Sequence, residues 1–316
     1  LGCATVASPD LDPDDDPSGS DEFRCAPWTA SRGVDPIGSA TPMDRLVLVE
    51  VPGPWPNDVA DLAWFADAEP TSGTRIHAVT AEVGRPDGSV LVTRWERSGA
   101  RFVGVEWAVP ATEVTEVVAV IAGGGEPGRP GTPAEPELLV CAHGRRDRCC
   151  GSFGTRLAIE ARAALAPHRV RRVSHLGGHR YAPTALTMPD GRFWAYLDVD
   201  ILTGIVQRNA NPGDAREFYR GNCALDGWAQ TVEATVLTAR GWDGFDLDAV
   251  SATTTIADDE QSAEVALTIT AGGVDETLSA TVEIAERYPV LQCGLPPSDA
   301  KKSAPAYRLA GEVRGR

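Results

Sequence analysis

Apolar residues in the first half of the chain fall into short runs separated by polar and turn-forming residues. Such runs predict buried strands at residues 46–51, 75–83, 90–95 and 102–109. Residues 57–65 carry the pattern of one short helix. Strands mixed with helices predict an α/β protein.

In the second half, residues 137–141 form an apolar run that predicts a strand, and residues 169–174 predict another. Between them, residues 154–166 are rich in Ala, Leu, Arg and Glu and predict a helix that stops before Pro167. If the two strands lie parallel and adjacent, with the helix as the crossover, Cys141 and His175 reach the same edge of the sheet.

The remaining pattern predicts a strand at 193–198, a helix at 224–239 and a β-hairpin at 263–284 that turns at Gly272 and Gly273. Residues 123–136 are rich in glycine and proline, which is typical of an exposed connection. We therefore divide the chain into an acidic, disordered N-terminal tail (1–40), an N-terminal α/β domain (41–122), a linker (123–136), a second domain (137–241) and a β-rich C-terminal segment (242–316).

The charge balance excludes two classes of partner. Lys and Arg total 29 against 45 Asp and Glu, for a net charge of -16. A chain this acidic repels nucleic acid and anionic membrane surfaces. No window approaches the roughly 20 apolar residues of a membrane helix, and no secretory signal pattern is present. We expect a soluble, cytoplasmic protein.

Cysteines and histidines concentrate in one region. Three of the seven cysteines, Cys141, Cys149 and Cys150, share one short segment, and His175 and His179 follow four positions apart. In a reducing compartment such clustering indicates metal or redox chemistry rather than a disulfide framework. Two glycines between the histidines permit positive φ angles and a close approach of the backbone to a bulky group.

Two motifs here resemble the sucrase/ferredoxin-like family, whose members include thioredoxin-like ferredoxins with two cysteine and two histidine ligands. The residues that carry the resemblance are Cys141, His143, Gly144, Arg146, Asp147 and Cys150, followed by His175, Gly177, Gly178, His179, Arg180 and Tyr181. Pro52-Gly53-Pro54-Trp55 and Tyr219-Arg220-Gly221 are also similar to the family. The resemblance implies that residues 137–241 form a thioredoxin-like ferredoxin domain.

The resemblance further implies a 2Fe-2S cluster with Cys141 and Cys150 on one iron and His175 and His179 on the other. The function it implies is that of an electron carrier rather than an enzyme. In Rieske centres, where two histidines also replace two cysteines, potentials are roughly -150 to +300 mV, against about -400 mV for plant-type ferredoxins. An imidazole ligand can also lose a proton on oxidation, which couples electron and proton transfer. Cys149, next to Cys150, is an alternative ligand.

Positive charge surrounds the candidate ligands. Residues 141–181 hold nine arginines and two acids, Asp147 and Glu160, inside an acidic chain. We expect this basic face to dock an acidic redox partner, either a flavoprotein reductase or another iron–sulfur protein. A solvated face without a partner is the alternative. No glycine fingerprint for a nucleotide is present, so the chain is not expected to oxidise a pyridine nucleotide itself.

Three other functions compete with electron transfer. The same four ligands could hold a structural zinc ion, although only the histidines have the usual zinc spacing. Cys149 and Cys150 could act as a redox pair, but adjacent cysteines form strained disulfides. The family name also suggests a sucrose-cleaving hydrolase, which needs a pair of carboxyl groups that the sequence does not single out.

The other histidines, Asp147 and the scattered cysteines are given structural roles. We expect His143 to hydrogen-bond near the site rather than ligate, and Asp147 either to pair with an arginine or to sit in a solvated turn. We interpret His77 and His168 as packing or surface residues. The scattered cysteines are interpreted as small apolar residues; they are Cys3, Cys25, Cys223 and Cys293.

Overall fold

A computed structural model describes residues 23–81 and 87–315 of the chain. The fold is mixed α/β, with one large mixed sheet and a second, antiparallel sheet. The helices are α1 (Cys25–Ser31), α2 (Val114–Ala122), α3 (Thr155–Ala164), α4 (Val199–Val206), α5 (Pro212–Ala215) and α6 (Gly227–Arg240).

Ten strands form the large sheet. They are β1 (Arg45–Glu50), β2 (Thr74–Val79), β3 (Val90–Ser98), β4 (Arg101–Val109), β5 (Thr132–Pro133), β6 (Glu137–Cys141), β7 (Arg169–Val173), β8 (Ala185–Met188), β9 (Arg192–Trp194) and β10 (Tyr219–Asn222). Their order across the sheet is β10-β9-β8-β6-β7-β2-β1-β3-β4-β5. Two pairs are parallel, β1 with β2 and β6 with β7, and the other pairs are antiparallel.

The central strands of the large sheet are buried on both faces, which explains their apolar runs. In β6, Leu138 and Val140 pack with residues of α3, while Leu139 and Cys141 point to the opposite face. That second face is covered in part by α1, through Cys25 and Ala26. Alternation along a strand therefore sends Cys141 to the side of the sheet where α1 lies.

The second sheet confirms the β-rich segment near the C-terminus. It contains β11 (Ala249–Ile256), β12 (Ser262–Ala271), β13 (Val274–Pro289), β14 (Ser303–Leu309) and β15 (Arg314–Gly315). Helix α6 packs on its apolar face through Trp228, Ala229, Val232 and Val236.

Two predicted elements are wrong. Residues 57–65 form two 3₁₀ turns, Val59–Asp61 and Ala63–Phe65, separated by an extended Leu62. Only Phe65 of these turns is buried, so little packing supports a regular helix. The strand predicted at 193–198 ends at Trp194, because Tyr196 has a positive φ and Asp198 caps α4 by accepting the N–H of Ile201.

The boundaries of the predicted regions differ from the observed elements. Residues 1–22 of the predicted tail, and the end of the strand predicted at 75–83, lie outside the described residues. Within the predicted 1–40 tail, Cys25–Ser31 forms α1, whose apolar side chains are buried in the core. The connection at 123–136 contains β5, and β2 pairs with β7, so strands from both predicted domains share one sheet.

Candidate metal centre

The strand pair β6 and β7 positions the candidate ligands. The two strands are parallel, and Cys141 pairs with Val173 at the end of β7. His175 follows two residues later, so both residues lie at the same edge of the sheet. The placement predicted from the strand pattern is confirmed.

Three of the four predicted residues converge at this edge. The sulfur atoms of Cys141 and Cys150 and one ring nitrogen of His175 all lie within 4.8 Å of one another. Cys150 reaches this point because the loop after β6 folds back and enters a π-helical turn, Cys150–Gly154, ahead of α3.

Glycines make this folding back of the loop possible. A Cβ atom at Gly154 would overlap the carbonyl oxygen of Cys141, and one at Gly151 would overlap the backbone of Gly144. Side chains at these positions would push the Cys150 turn away from the end of β6. The glycines therefore set the distance between Cys141 and Cys150.

A tight turn carries the two histidines. Gly177 and Gly178 both have positive φ, at 84° and 72°, as the sequence predicts. Arg220 is buried and donates hydrogen bonds to the carbonyl oxygens of Gly177, at 3.1 Å, and Ser39. The rings of His175 and His179 then lie 5.6 Å apart between centroids. Arg220 comes from the Tyr219-Arg220-Gly221 motif and holds this turn in place.

His179, the fourth predicted ligand, is not part of this group of donors within 4.8 Å; its ring lies next to that of His175 and contacts a carboxylate. Its Nδ1 is 3.1 Å from Oδ2 of Asp147, which is buried and also accepts the N–H of Cys149 at 2.9 Å. A carboxylate acceptor keeps the proton on Nδ1. The lone pair of Nε2 is then available to bind a metal ion. Asp147 thus orients His179, a role that neither sequence interpretation assigned to it.

The pKa values of the two cysteines shift in opposite directions. A hydrogen bond from the Cys150 thiol holds the pKa of Cys141 well below its usual range, and His175 acts in the same direction. The same hydrogen bond, with burial, raises the pKa of Cys150. The two sulfurs are thus in direct hydrogen-bond contact, and both bind a metal ion as thiolates.

The residues present fit a metal centre. Among the residues that the structure describes, Nδ1 of His175 is buried without a hydrogen-bond partner. Two thiols and one imidazole nitrogen within 4.8 Å of one another are ligand types that zinc and iron prefer in proteins.

His143 agrees with its predicted role as a hydrogen-bonding neighbour. Its Nε2 donates to the carbonyl oxygen of Pro56 at 2.8 Å, and its ring meets Trp55 edge to face at 5.8 Å. The residue ties the ligand loop to the Pro52-Gly53-Pro54-Trp55 motif. Burial lowers the pKa of His77 to about 4, so this neighbouring imidazole is neutral at neutral pH.

The arginines of this region do not share one face. Arg171 is fully buried in an ion pair with Glu137, and Arg169 pairs with Glu106. Exposed arginines nearest the ligands in the chain belong to the loop between Cys141 and Cys150; they are Arg145, Arg146 and Arg148. The basic surface beside the candidate centre is thus smaller than the sequence suggested.

Cys25 and Cys293 are functional candidates that the sequence interpretation missed. The sulfur atoms of Cys25, Cys149 and Cys293 and a carboxylate oxygen of Asp147 all lie within 4.8 Å of one another. Neither cysteine has a sequence spacing typical of metal ligands, because each comes from a distant segment of the chain. Cys223 is buried in the core as expected, and Cys3 lies outside the described residues.

Across residues 23–81 and 87–315, no helix is long and apolar enough to cross a membrane.

Comparison with curated proteins and with solved structures finds no match. The sequence model of the Sucrase/ferredoxin-like family matches residues 36–221, more than half of the 316-residue chain. The matched range contains both motifs with candidate ligands and also Arg220. The chain belongs to the sucrase/ferredoxin-like family.

Proposed function

We propose that this protein is an electron carrier whose 2Fe-2S cluster is ligated by Cys141, Cys150, His175 and His179, within a thioredoxin-like region at 137–241. The convergence of Cys141, Cys150 and His175 within 4.8 Å carries the proposal. Cys141 and Cys150 are buried and His175 is half-buried, and a fold that brings these three donors together at one sheet edge supports a shared centre.

The ligands differ in charge, and this difference sets the proposed range of potential. When bound, a 2Fe-2S cluster accepts and releases one electron. Cys141 and Cys150 contribute negative thiolates, whereas His175 and His179 contribute neutral nitrogens. Less negative charge around the centre makes reduction easier, so we propose a potential in the Rieske range, roughly -150 to +300 mV.

His175 and His179 differ in the hydrogen-bond partner of Nδ1. Asp147 accepts the Nδ1 proton of His179 and stabilises it. Nδ1 of His175 has no partner among the described residues. We propose that oxidation is coupled to the loss of a proton from an imidazole ligand.

The proposed partner is a flavoprotein reductase or another iron–sulfur protein with an acidic surface. Arg145, Arg146 and Arg148 are exposed on the loop that carries Cys150, which supports docking close to the centre. We propose a cytoplasmic location, since the six described cysteines are free thiols.

Metal and sulfide analysis of anaerobically purified protein, with visible and EPR spectra, tests the proposal. We expect two irons and two sulfides per chain and a Rieske-like signal in the reduced state. His175→Cys should retain the cluster at a lower potential, because it replaces a neutral ligand by an anionic one. Cys150→Ser should lose or alter the spectrum, whereas Cys223→Ala, a buried cysteine away from the ligands, should leave it unchanged.

A zinc ion held by the same ligands is the second candidate. Donors that all lie within 4.8 Å of one another also suit a single four-coordinate ion. Protein made with ample iron that contains no iron, and whose zinc disappears in Cys141→Ser, would overturn the electron-carrier proposal.

A further inference from the structure

A second group of metal-binding side chains lies next to the candidate centre. The Cys149 and Cys293 sulfurs are 3.3 Å apart, and the Cys293 and Cys25 sulfurs 3.5 Å apart. Asp147 closes the group, with Oδ2 3.4 Å from the Cys25 sulfur and Oδ1 3.4 Å from the Cys293 sulfur. Four donors thus converge from three distant segments of the chain.

Burial makes this group unlike a chance surface cluster. Cys25 and Cys149 are fully buried and Asp147 is 3% exposed, while Cys293 is half-buried at the rim. The backbone N–H of Ala26 faces the Cys149 sulfur. The backbone N–H groups of Cys25 and Cys149 face the Cys293 sulfur. Amide N–H groups directed at sulfur stabilise the thiolates that form when a metal ion displaces the thiol protons.

We propose that Cys25, Cys149, Cys293 and Asp147 bind a structural Zn²⁺ ion. Three sulfurs and one carboxylate oxygen make a closed set of four protein donors, as in structural zinc sites. Thiolate-rich sites select zinc over magnesium or calcium, which prefer oxygen. Binding releases the three thiol protons to solvent.

The zinc site is separate from the proposed cluster site. It uses Cys149 rather than Cys150, and it meets the other centre at His179, whose Nδ1 lies 3.1 Å from Oδ2 of Asp147 and 3.5 Å from the Cys25 sulfur. Cys25 and Cys293 lie outside the family match at 36–221, so the zinc fastens added segments to the family core. It holds α1 and the segment between β13 and β14 against the ligand loop.

Zinc-edge X-ray absorption on wild-type protein, purified anaerobically from medium that contains iron and zinc, tests the proposal without a variant. We expect one zinc per chain with three sulfurs at about 2.3 Å and one oxygen at about 2.0–2.2 Å. Absence of zinc would overturn the proposal. A shell of two sulfurs and two nitrogens would also overturn it, because it would locate zinc at Cys141 and Cys150.

Variants separate this site from the cluster. Cys293→Ser should lower zinc content at least tenfold while iron and sulfide per folded chain stay unchanged, and Cys223→Ala should retain both metals. Wild-type protein with zinc in the expected shell but no iron would contradict the cluster proposal alone. Retention of zinc in Cys293→Ser would contradict the zinc site. A wild-type mass lower by two hydrogens, with Cys149 and Cys293 joined in a disulfide, would contradict the zinc site.

Discussion

Glu137 and Arg171 form an ion pair that is completely shielded from solvent, and replacing Glu137 by Gln removes one of its charges. Arg171 donates to the two carboxylate oxygens at 2.6 and 2.8 Å, and both side chains are 0% exposed. Trp95 donates a further hydrogen bond to the same carboxylate, at 2.9 Å. The glutamine would leave the Arg171 charge buried and uncompensated.

The cost of that change follows from the burial of the pair. Removing one partner of a buried ion pair destabilises a protein by about 3–5 kcal/mol. At roughly 2 °C per kcal/mol for a large domain, the melting temperature should fall by about 6–10 °C. Replacing both residues, in Glu137→Leu/Arg171→Met, should recover most of this loss because no unpaired charge remains. The double variant loses the Trp95 hydrogen bond, about 1 kcal/mol, because leucine has no acceptor.

Urea unfolding followed by tryptophan fluorescence measures these differences. The control is Glu160→Gln, which breaks the exposed i,i+4 pair with Arg156 and should not measurably change the midpoint. Glu137 and Cys141 are at opposite ends of β6, about 13 Å apart at 3.3 Å per residue, so iron per folded chain should stay constant. A loss under about 1 kcal/mol for Glu137→Gln would refute the reasoning.

Three further changes test the site and its surroundings. Gly154→Ala places a methyl group against the carbonyl oxygen of Cys141 and should lower iron content several-fold, measured by metal analysis of the purified protein. Tyr219→Phe removes a buried hydroxyl that donates to Glu233 at 2.7 Å and should cost about 1–3 kcal/mol in urea unfolding, with the cluster spectrum unchanged. Arg145→Gln/Arg146→Gln should slow electron transfer from an acidic partner at low salt and flatten its salt dependence in stopped-flow measurements.

Matched controls distinguish these effects from general damage. Gly311→Ala, where a methyl group meets no neighbour, should retain full iron content. Tyr307→Phe changes a half-buried tyrosine outside the large sheet and should cost less than Tyr219→Phe. Arg162→Gln removes an exposed charge on α3 and should leave the salt dependence unchanged. A wild-type rate that is the same at low and high salt would contradict docking through the loop arginines.

The local sequence determined the strands that carry the site. The apolar run of β6 was predicted at its observed bounds, and β7 within one residue, because strands buried on both faces leave a continuous apolar pattern. The positive φ angles at Gly177 and Gly178 were also readable, since glycine adopts them without steric cost. These features depend only on neighbouring residues.

Some local predictions failed because competing interactions are non-local. Helix α1 was missed because residues 1–22 before it are acidic and polar, while its own burial depends on contacts with distant residues such as Leu176. Arg171 and Arg169 were counted with a basic surface, although Glu137 and Glu106 neutralise them. Pattern reasoning assigns charges to the surface, and only tertiary contacts show which are paired inside.

The sequence by itself determined the family, the α/β class and the candidate ligands Cys141, Cys150, His175 and His179, because these lie in two short motifs with local spacing. Tertiary structure decided which cysteine faces which partner: Cys150 meets Cys141, whereas Cys149 meets Cys25 and Cys293. It also gave Asp147 its contact with His179. The grouping of Cys149 with Cys25 and Cys293 joins chain segments more than a hundred residues apart, and no periodicity or spacing within one segment encodes it.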